Sequence, residues 1–284
     1  MSCPYVTVQL TDGFGNQMFQ VAAALGYAER YGCTPMFLKR PTAPKHHPQS
    51  TLNVVDFFPE IPILEGEEQG IIWKRLKEPA GAAFTYIPLP APTQDDANIL
   101  LEGYFQSERY FPSMFRMPNI APAPVSLANL DFFAHDWPRT FFLHVRRGDY
   151  LHPTNRHHYI DLVGGGYYGR CLEAMKAVGG VCFVVSDDMT WCRQTLPSIA
   201  PPGLSLLWCP TDTTDAETFY WMTMCGAGAI CANSTFSWWA AYFIHRSHGP
   251  SARLFMPKPW GHPPMPPVRD LYPSWVDALE CRKN

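Results

Sequence analysis

The sequence predicts an α/β protein made of two βα-type halves around a central cleft, and three observations carry that expectation. Short apolar runs alternate with stretches of helical length, glycine- or serine-bearing turns follow several of those runs, and proline concentrates at 40–139 and 257–273. Apolar runs of four to six residues separated by helices are the pattern of parallel strands buried on both faces of a sheet.

The first half opens as strand, turn, helix, strand. YVTVQL is β-branched and short, TDGFGN is a glycine-bearing turn, the helix after it places apolar residues at 18, 21, 22 and 25, and TPMFLK resumes extended structure. From 40 to 139 proline breaks the pattern, and short helices are expected near 67–78 and 105–116 within loop-rich decoration. From 140 the alternation becomes regular. Strands are expected at 140–145, 180–186, 205–210, 229–233 and 252–257, with helices at 167–178, 215–227 and 234–247. The halves are therefore drawn at 1–139 and 140–284. No internal repeat or low-complexity tract is present.

A chain of 284 residues suits one large domain or two ordinary ones. With 22 Lys and Arg against 25 Asp and Glu, it lacks the basic excess that duplex nucleic acid requires, so basic clusters must be local. The nine cysteines are odd in number and form no C-x-x-C pair; several sit in apolar runs, which reads as reduced, buried thiols. No signal-like start occurs and the longest spanning candidate, WWAAYFI, falls far short of the roughly 18 residues a span needs. A soluble cytoplasmic protein is the expectation, with peripheral membrane association left open.

The densest chemical signal is His144-Val145-Arg146-Arg147-Gly148-Asp149-Tyr150, at the carboxyl end of an expected strand. Ligands of open α/β sheets bind at such ends. Strand alternation puts His144 and Arg146 on one side and Arg147 on the other, and an arginine fork matches phosphate bidentately. A structural Arg–Asp pair is the alternative for this segment. At Asn233-Ser234-Thr235-Phe236 a strand meets a helix, and the free N–H groups of a first helical turn beside hydroxyls suit an anion, although capping alone explains Ser or Thr there. The turn Asp12-Gly13-Phe14-Gly15-Asn16-Gln17 is neither a Walker loop nor G-x-G-x-x-G; its amides suit a polar ligand, and an ordinary left-handed turn with a capping Asn suits it equally. Asp187-Asp188 end a strand, where a carboxylate accepts from a base or a hydroxyl, or caps the next helix. His152, His157 and His158 fit no common zinc spacing, and no metal site is expected.

Three of these segments, in this order, resemble the family 11 glycosyltransferases, the α-1,2-fucosyltransferases. The family's G-L-G-N-Q-M-F-Q is met at 13–20 with Phe14 for Leu, its H-x-R-R-G-D-Y at 144–150 and its N-S-x-F-S-W-W at 233–239; Leu101–Ser107 and Ser186–Asp188 are also similar. The resemblance implies a GT-B-like pair of Rossmann halves, with an acceptor-side domain at 1–139 and a GDP-fucose-binding domain at 140–284. It implies inverting, metal-independent transfer of L-fucose to a galactoside, with the 2-hydroxyl of a terminal β-galactose as the acceptor group. By position, Arg146 would grip the β-phosphate with His144 and Arg147 beside the nucleotide. Ser234, Thr235 and Phe236 would form the phosphate-binding junction, Asp188 would meet guanine, and Asn16 would lie on the acceptor side. The family usually carries Gly or a neutral residue where this chain has Asp12, which adds a carboxylate. Asp12, Asp149 and a relay through Asn16 stand as candidates for the base. Other GDP-sugar donors, other fucosyl linkages and a non-catalytic nucleotide- or glycan-binding protein are the competing readings; no cofactor beyond the donor substrate is expected.

Overall fold

The structure, a computed structural model, describes residues 4–38, 52–64, 71–93, 98–115, 135–178, 180–263, 265–266 and 268–281. The chain divides into two compact units, Met1–Ile120 with Pro266–Pro273 and Ala121–Met265 with Ser274–Asn284.

The first unit holds β1 (Tyr5–Val8), α1 (Phe14–Tyr31), β2 (Thr34–Pro35), β3 (Lys74–Lys77) and β4 (Asn98–Glu102) in an all-parallel sheet of order β2-β1-β4-β3. α1 buries Met18, Phe19, Val21 and Ala22 and ends at Gly32, whose φ of 68° is the left-handed conformation that closes a helix. Over 71–78, the described part of the range 67–78 where a short helix was expected, no helix forms. The chain there contains β3, where the single buried residue, Leu76, sits between exposed Arg75 and Lys77. That is the alternation of an edge strand, and pairing with β4 overrides the helix-forming tendency of Lys, Arg and Leu. The helix expected near 105–116 is only a 3-10 turn at Glu108–Tyr110.

The second unit contains β5 (Thr140–Val145), α2 (Tyr167–Met175), β6 (Val181–Ser186), α3 (Met189–Ile199), β7 (Ser205–Trp208), α4 (Asp215–Met224), β8 (Gly228–Ile230), α5 (Thr235–His248), β9 (Arg253–Lys258) and β10 (Asp277–Glu280). Its six strands are parallel in the order β10-β9-β8-β5-β6-β7. Counted from β5, this is the doubly wound order 3-2-1-4-5-6, which reverses direction between β5 and β8. Alternate residues of β5 serve opposite layers: Phe141, Leu143 and Val145 join the core with Leu172, Met175, Cys192 and Leu196 of α2 and α3. His144 points the other way, its ring 5.9 Å from Phe236 of α5. α3 and β10 went unread in the sequence. Pro197 in the last turn of α3 masked a helix, and the half-polar DALE of β10 is an edge strand without an apolar run. Among the described residues seven of the eight cysteines are buried and all eight are free thiols; Cys3 lies outside the described residues.

β8 sits between β5 and β9 at closest range where Gly228 faces Arg253, at a φ of 138°, and an added Cβ would fall 1.9 Å from the Arg253 carbonyl oxygen. Gly228→Ala should therefore cost about 3 kcal/mol or more, combining backbone strain with a backbone clash. Urea unfolding of the two proteins checks this, and a loss below about 1 kcal/mol would contradict it.

Candidate active site

Strand order reverses in the second sheet, between β5 and β8; in the first, of order β2-β1-β4-β3, β1 and β4 are the central neighbours. In doubly wound sheets the carboxyl ends at such a reversal are left uncovered and take the ligand. The residues singled out in the sequence lie at the carboxyl end of β5, as His144 does, or in the loops and first helical turns that follow β1, β5, β6 and β8.

In the second unit, loops after β5, β6 and β8 meet. Arg146 is braced by two carboxylates, its Nη2 donating to Asp149 Oδ1 at 2.6 Å and its Nη1 2.9 Å from Asp187 Oδ2. The other oxygen of Asp187 accepts the backbone N–H of Arg147 at 2.8 Å, so this one carboxylate fixes both arginines. Gly148 is what lets it approach, since a Cβ there would stand 2.7 Å from Asp187 Oδ2. Arg147 turns the opposite way from Arg146: its guanidinium lies 4.0 Å from the centroid of the Trp191 ring on α3 and its Nε donates to Asp188 Oδ2 at 3.1 Å. Asp188 also caps α3, accepting from Trp191 N at 3.0 Å, so both of its oxygens carry partners from the protein. The cluster is therefore not a bare basic patch, because three carboxylates face two guanidinium groups. Arg–Asp pairing at the strand end, the alternative raised by the sequence, is present. The carboxylates fix the forks, and a fixed fork suits a planar or multidentate anion.

Tyr150 joins this loop to the β8–α5 junction. Its hydroxyl donates to the Asn233 carbonyl at 2.8 Å while its ring stacks on Tyr159, and Asn233 Nδ2 donates to the Trp260 carbonyl at 3.0 Å. Burial holds the Tyr150 hydroxyl protonated well above its ordinary range, which keeps it a donor. Ser234 is the N-cap of α5, yet its side chain makes no capping bond, and the first turn carries no acidic residue. Ser234, Thr235 and Phe236 are half-buried. The helix start thus keeps its partial positive charge, which suits an anion. His144 is 5% exposed and its Nδ1 has no hydrogen-bond partner. Burial pushes this imidazole down to about 4, Arg146 pushes the same way and Asp187 opposes them, so it is neutral at neutral pH.

In the first unit, the loops after β1, β3 and β4 form a second polar cluster. Asp12 itself holds the left-handed conformation, at φ 60°, in a turn where glycine seemed the natural candidate. Gly13 is the N-cap of α1, so Asn16 lies in the first turn and caps nothing. The exposed Asp12 carboxylate accepts from the Tyr104 hydroxyl at 2.6 Å, and Gln17 Nε2 donates to the Asp12 carbonyl at 2.8 Å. Asn16 Oδ1 accepts from Gln106 Nε2 at 2.8 Å, and Gln20 spans Thr11 and the Gly103 carbonyl. Residues 12–20 and 103–106 are thereby one network. The sequence reading named Asp187 as a strand-end carboxylate but not as the partner of Arg146, and Tyr104 only within the segment 101–107; Glu78 it did not name, and nothing in the sequence pointed to it.

Among the described residues no group of three or more His, Cys, Asp and Glu side chains could hold a metal ion. No helix among them is long and apolar enough to cross a membrane.

These features define an α/β protein with parallel sheets, whose polar side chains gather at the carboxyl ends of neighbouring strands. The sequence pattern of glycosyl transferase family 11 matches residues 4–248, and the chain belongs to that family. An alpha-1,2-colitosyltransferase of Escherichia coli is 27% identical over 164 residues, 56% of this chain and 54% of that protein, so the chain spans about half the length of that relative. A galactoside 2-alpha-L-fucosyltransferase of Caenorhabditis elegans is 23% identical over 257 residues, 84% of this chain and 69% of that protein. The crystal structure of fucosyltransferase NodZ from Bradyrhizobium superposes with a TM-score of 0.50 at 15% identity, covering 84% of this chain and 93% of that one. That likeness supports the pair of Rossmann-like halves.

A histidine whose folded pKa is near 4 against an ordinary 6.5 binds fewer protons folded than unfolded between those values. Its contribution is complete above pH 6.5 and is lost as pH falls toward 4, by up to about 3 kcal/mol. His144→Met should flatten the stability profile across this window relative to the unchanged protein in pH-dependent urea unfolding. Parallel profiles for the two proteins would contradict the assignment.

Proposed function

We propose that the protein transfers L-fucose from GDP-fucose to the 2-hydroxyl of a terminal β-galactose, with inversion and without a metal. The observation that carries this reading is the carboxylate-braced Arg146 in the same sheet-end crevice as the uncapped start of α5. Family membership and the activities of the fucosyl- and colitosyltransferase relatives support the choice of sugar and linkage.

In the proposed reaction the bond from C1 of fucose to the β-phosphate oxygen breaks as the acceptor oxygen attacks the opposite face. Negative charge grows on the leaving diphosphate, and Arg146 with the N–H groups at Ser234–Phe236 stabilises it in place, the part a metal takes elsewhere. His144, neutral and buried, serves the nucleotide as a hydrogen-bonding group rather than as a charge. Arg147 and Asp188 hold each other, which leaves Asp188 with little capacity for guanine unless Arg147 moves. For the base, Asp12 is preferred to Asp149. Asp149 is paired at 2.6 Å with Arg146 and would weaken that pair on taking a proton, whereas the Asp12 carboxylate accepts from the neutral hydroxyl of Tyr104. Asn16 has no proton to take up and orients the acceptor.

Incubation with GDP-fucose and a panel of β-galactosides, followed by mass and linkage analysis, should yield a 2-linked fucoside, with activity unchanged in excess EDTA. Arg146→Ala should lower turnover at least about a hundredfold, the scale of losing a preorganised donor to a developing anion, while melting stays cooperative. Asp12→Asn should lower kcat by a comparable factor with little change in donor KM. Transfer from GDP-colitose but not GDP-fucose would replace the donor assignment, loss of activity in EDTA would remove the metal-free mechanism, and a normal Arg146→Ala enzyme would sink the reading as a whole.

A further inference from the structure

We infer that Glu78 is a positioning residue that holds residues 103–106 in the conformation placing Tyr104 on Asp12 and Gln106 on Asn16. This rests on the reading of Asp12 as the base and deepens it. Glu78 follows β3 directly, and because Lys77 pairs with Glu102 in parallel register it stands beside Gly103, its N–H donating to the Glu102 carbonyl at 2.8 Å. Its carboxylate then closes on the next turn of chain. Oε2 accepts the Tyr104 N–H at 2.8 Å and Oε1 the Phe105 N–H at 3.0 Å.

That turn does not hold itself. Phe105 has φ of 52°, a conformation a bulky residue adopts only when its surroundings impose it, and its ring is fully buried, edge-on to Tyr110 at 5.3 Å. Gly103 permits the approach, since a Cβ there would lie 2.4 Å from Glu78 Cβ. Reversing the chain at Phe105 sends Tyr104 outward, where its hydroxyl reaches Asp12 Oδ2, and sends Gln106 inward, where its amide reaches Asn16. Burial raises the Glu78 carboxyl above the usual range, and the two N–H groups oppose that rise. A half-buried carboxylate with both oxygens committed to backbone donors is placed for geometry, not for solvation. Glutamine cannot replace it, because its NH2 would confront one of the two N–H groups.

The test is Glu78→Gln in the full chain, read in two ways. Amide exchange at Tyr104 and Phe105 reports the turn without any reaction, and steady-state kinetics with GDP-fucose and a β-galactoside report its consequence. Exchange at both amides should quicken at least about tenfold. Acceptor kcat/KM should fall at least about tenfold while donor KM stays within about twofold, and Glu78→Asp should recover part of the loss. Adding Tyr104→Phe to Glu78→Gln should cost little more, since the hydroxyl has already left Asp12. Unchanged exchange, unchanged acceptor kinetics, or equal losses for donor and acceptor would overturn the role. Should Glu78→Gln fail to fold, Gly103→Ala displaces the same carboxylate and is read identically. If the unaltered protein transfers fucose to no galactoside, the functional reading fails, while the exchange measurement still decides what Glu78 does.

Discussion

One constraint organises this protein: a parallel sheet whose strand order reverses leaves the carboxyl ends of two neighbouring strands uncovered. In the second unit the reversal falls between β5 and β8, with β6 on the other side of β5. The segments 146–150, 186–188 and 233–236, separated by up to some ninety residues in sequence, therefore leave the sheet side by side. In the first unit it is the central pairing of β1 with β4 that brings the loop after β1 to the loop after β4, with β3 at the edge supplying Glu78. Neither cluster requires an unusual local fold. Each follows from which strands are neighbours.

Electrostatics then decides what such a crevice can do. A chain with slightly more acidic than basic residues cannot attract an anion by overall field, so recognition must come from a few preorganised donors. The second unit arranges this by bracing. Asp187 takes the Arg146 guanidinium with one oxygen and the Arg147 N–H with the other, Asp149 takes a second arm of Arg146, and Asp188 holds Arg147 over Trp191. The carboxylates reduce net positive charge, and in return the guanidinium planes are fixed before any ligand arrives. The start of α5, with no side-chain cap from Ser234 and no acidic residue in its first turn, adds the positive end of a helix dipole. On the proposed reading, charge on a leaving diphosphate meets groups that have already been oriented, so little reorganisation accompanies the reaction.

Much of the second unit was legible because its strands are continuous apolar runs. TFFLHV, VCFVVS and ARLFMP announce themselves as buried parallel strands, and the loops after them could be located by counting. The first unit was less legible for a physical reason: β3 is an edge strand with one buried residue in four; in the second unit β10, with none of its four residues buried, escaped likewise, since neither offers the apolar run that sequence reading relies on. The arginine motif and a strand-end Arg–Asp pair were visible as chemistry, but which carboxylates Arg146 takes was not, because its pairing with Asp187 depends on β5 and β6 being neighbours in register. Asp12 shows the limit most plainly. As a sequence position it was an extra carboxylate in a glycine turn; its left-handed backbone and its bond to Tyr104 come from a loop ninety-two residues away.

The central claim is that the β5–β8 crevice recognises a diphosphate through groups fixed beforehand. Calorimetric titration with GDP and with GMP tests it directly, because the two ligands share the nucleoside and differ by the phosphate that Arg146 and the α5 start are assigned to hold. GDP should bind at least about tenfold more tightly than GMP, a difference of about 1.4 kcal/mol or more. Equal affinities for the two nucleotides would contradict the account.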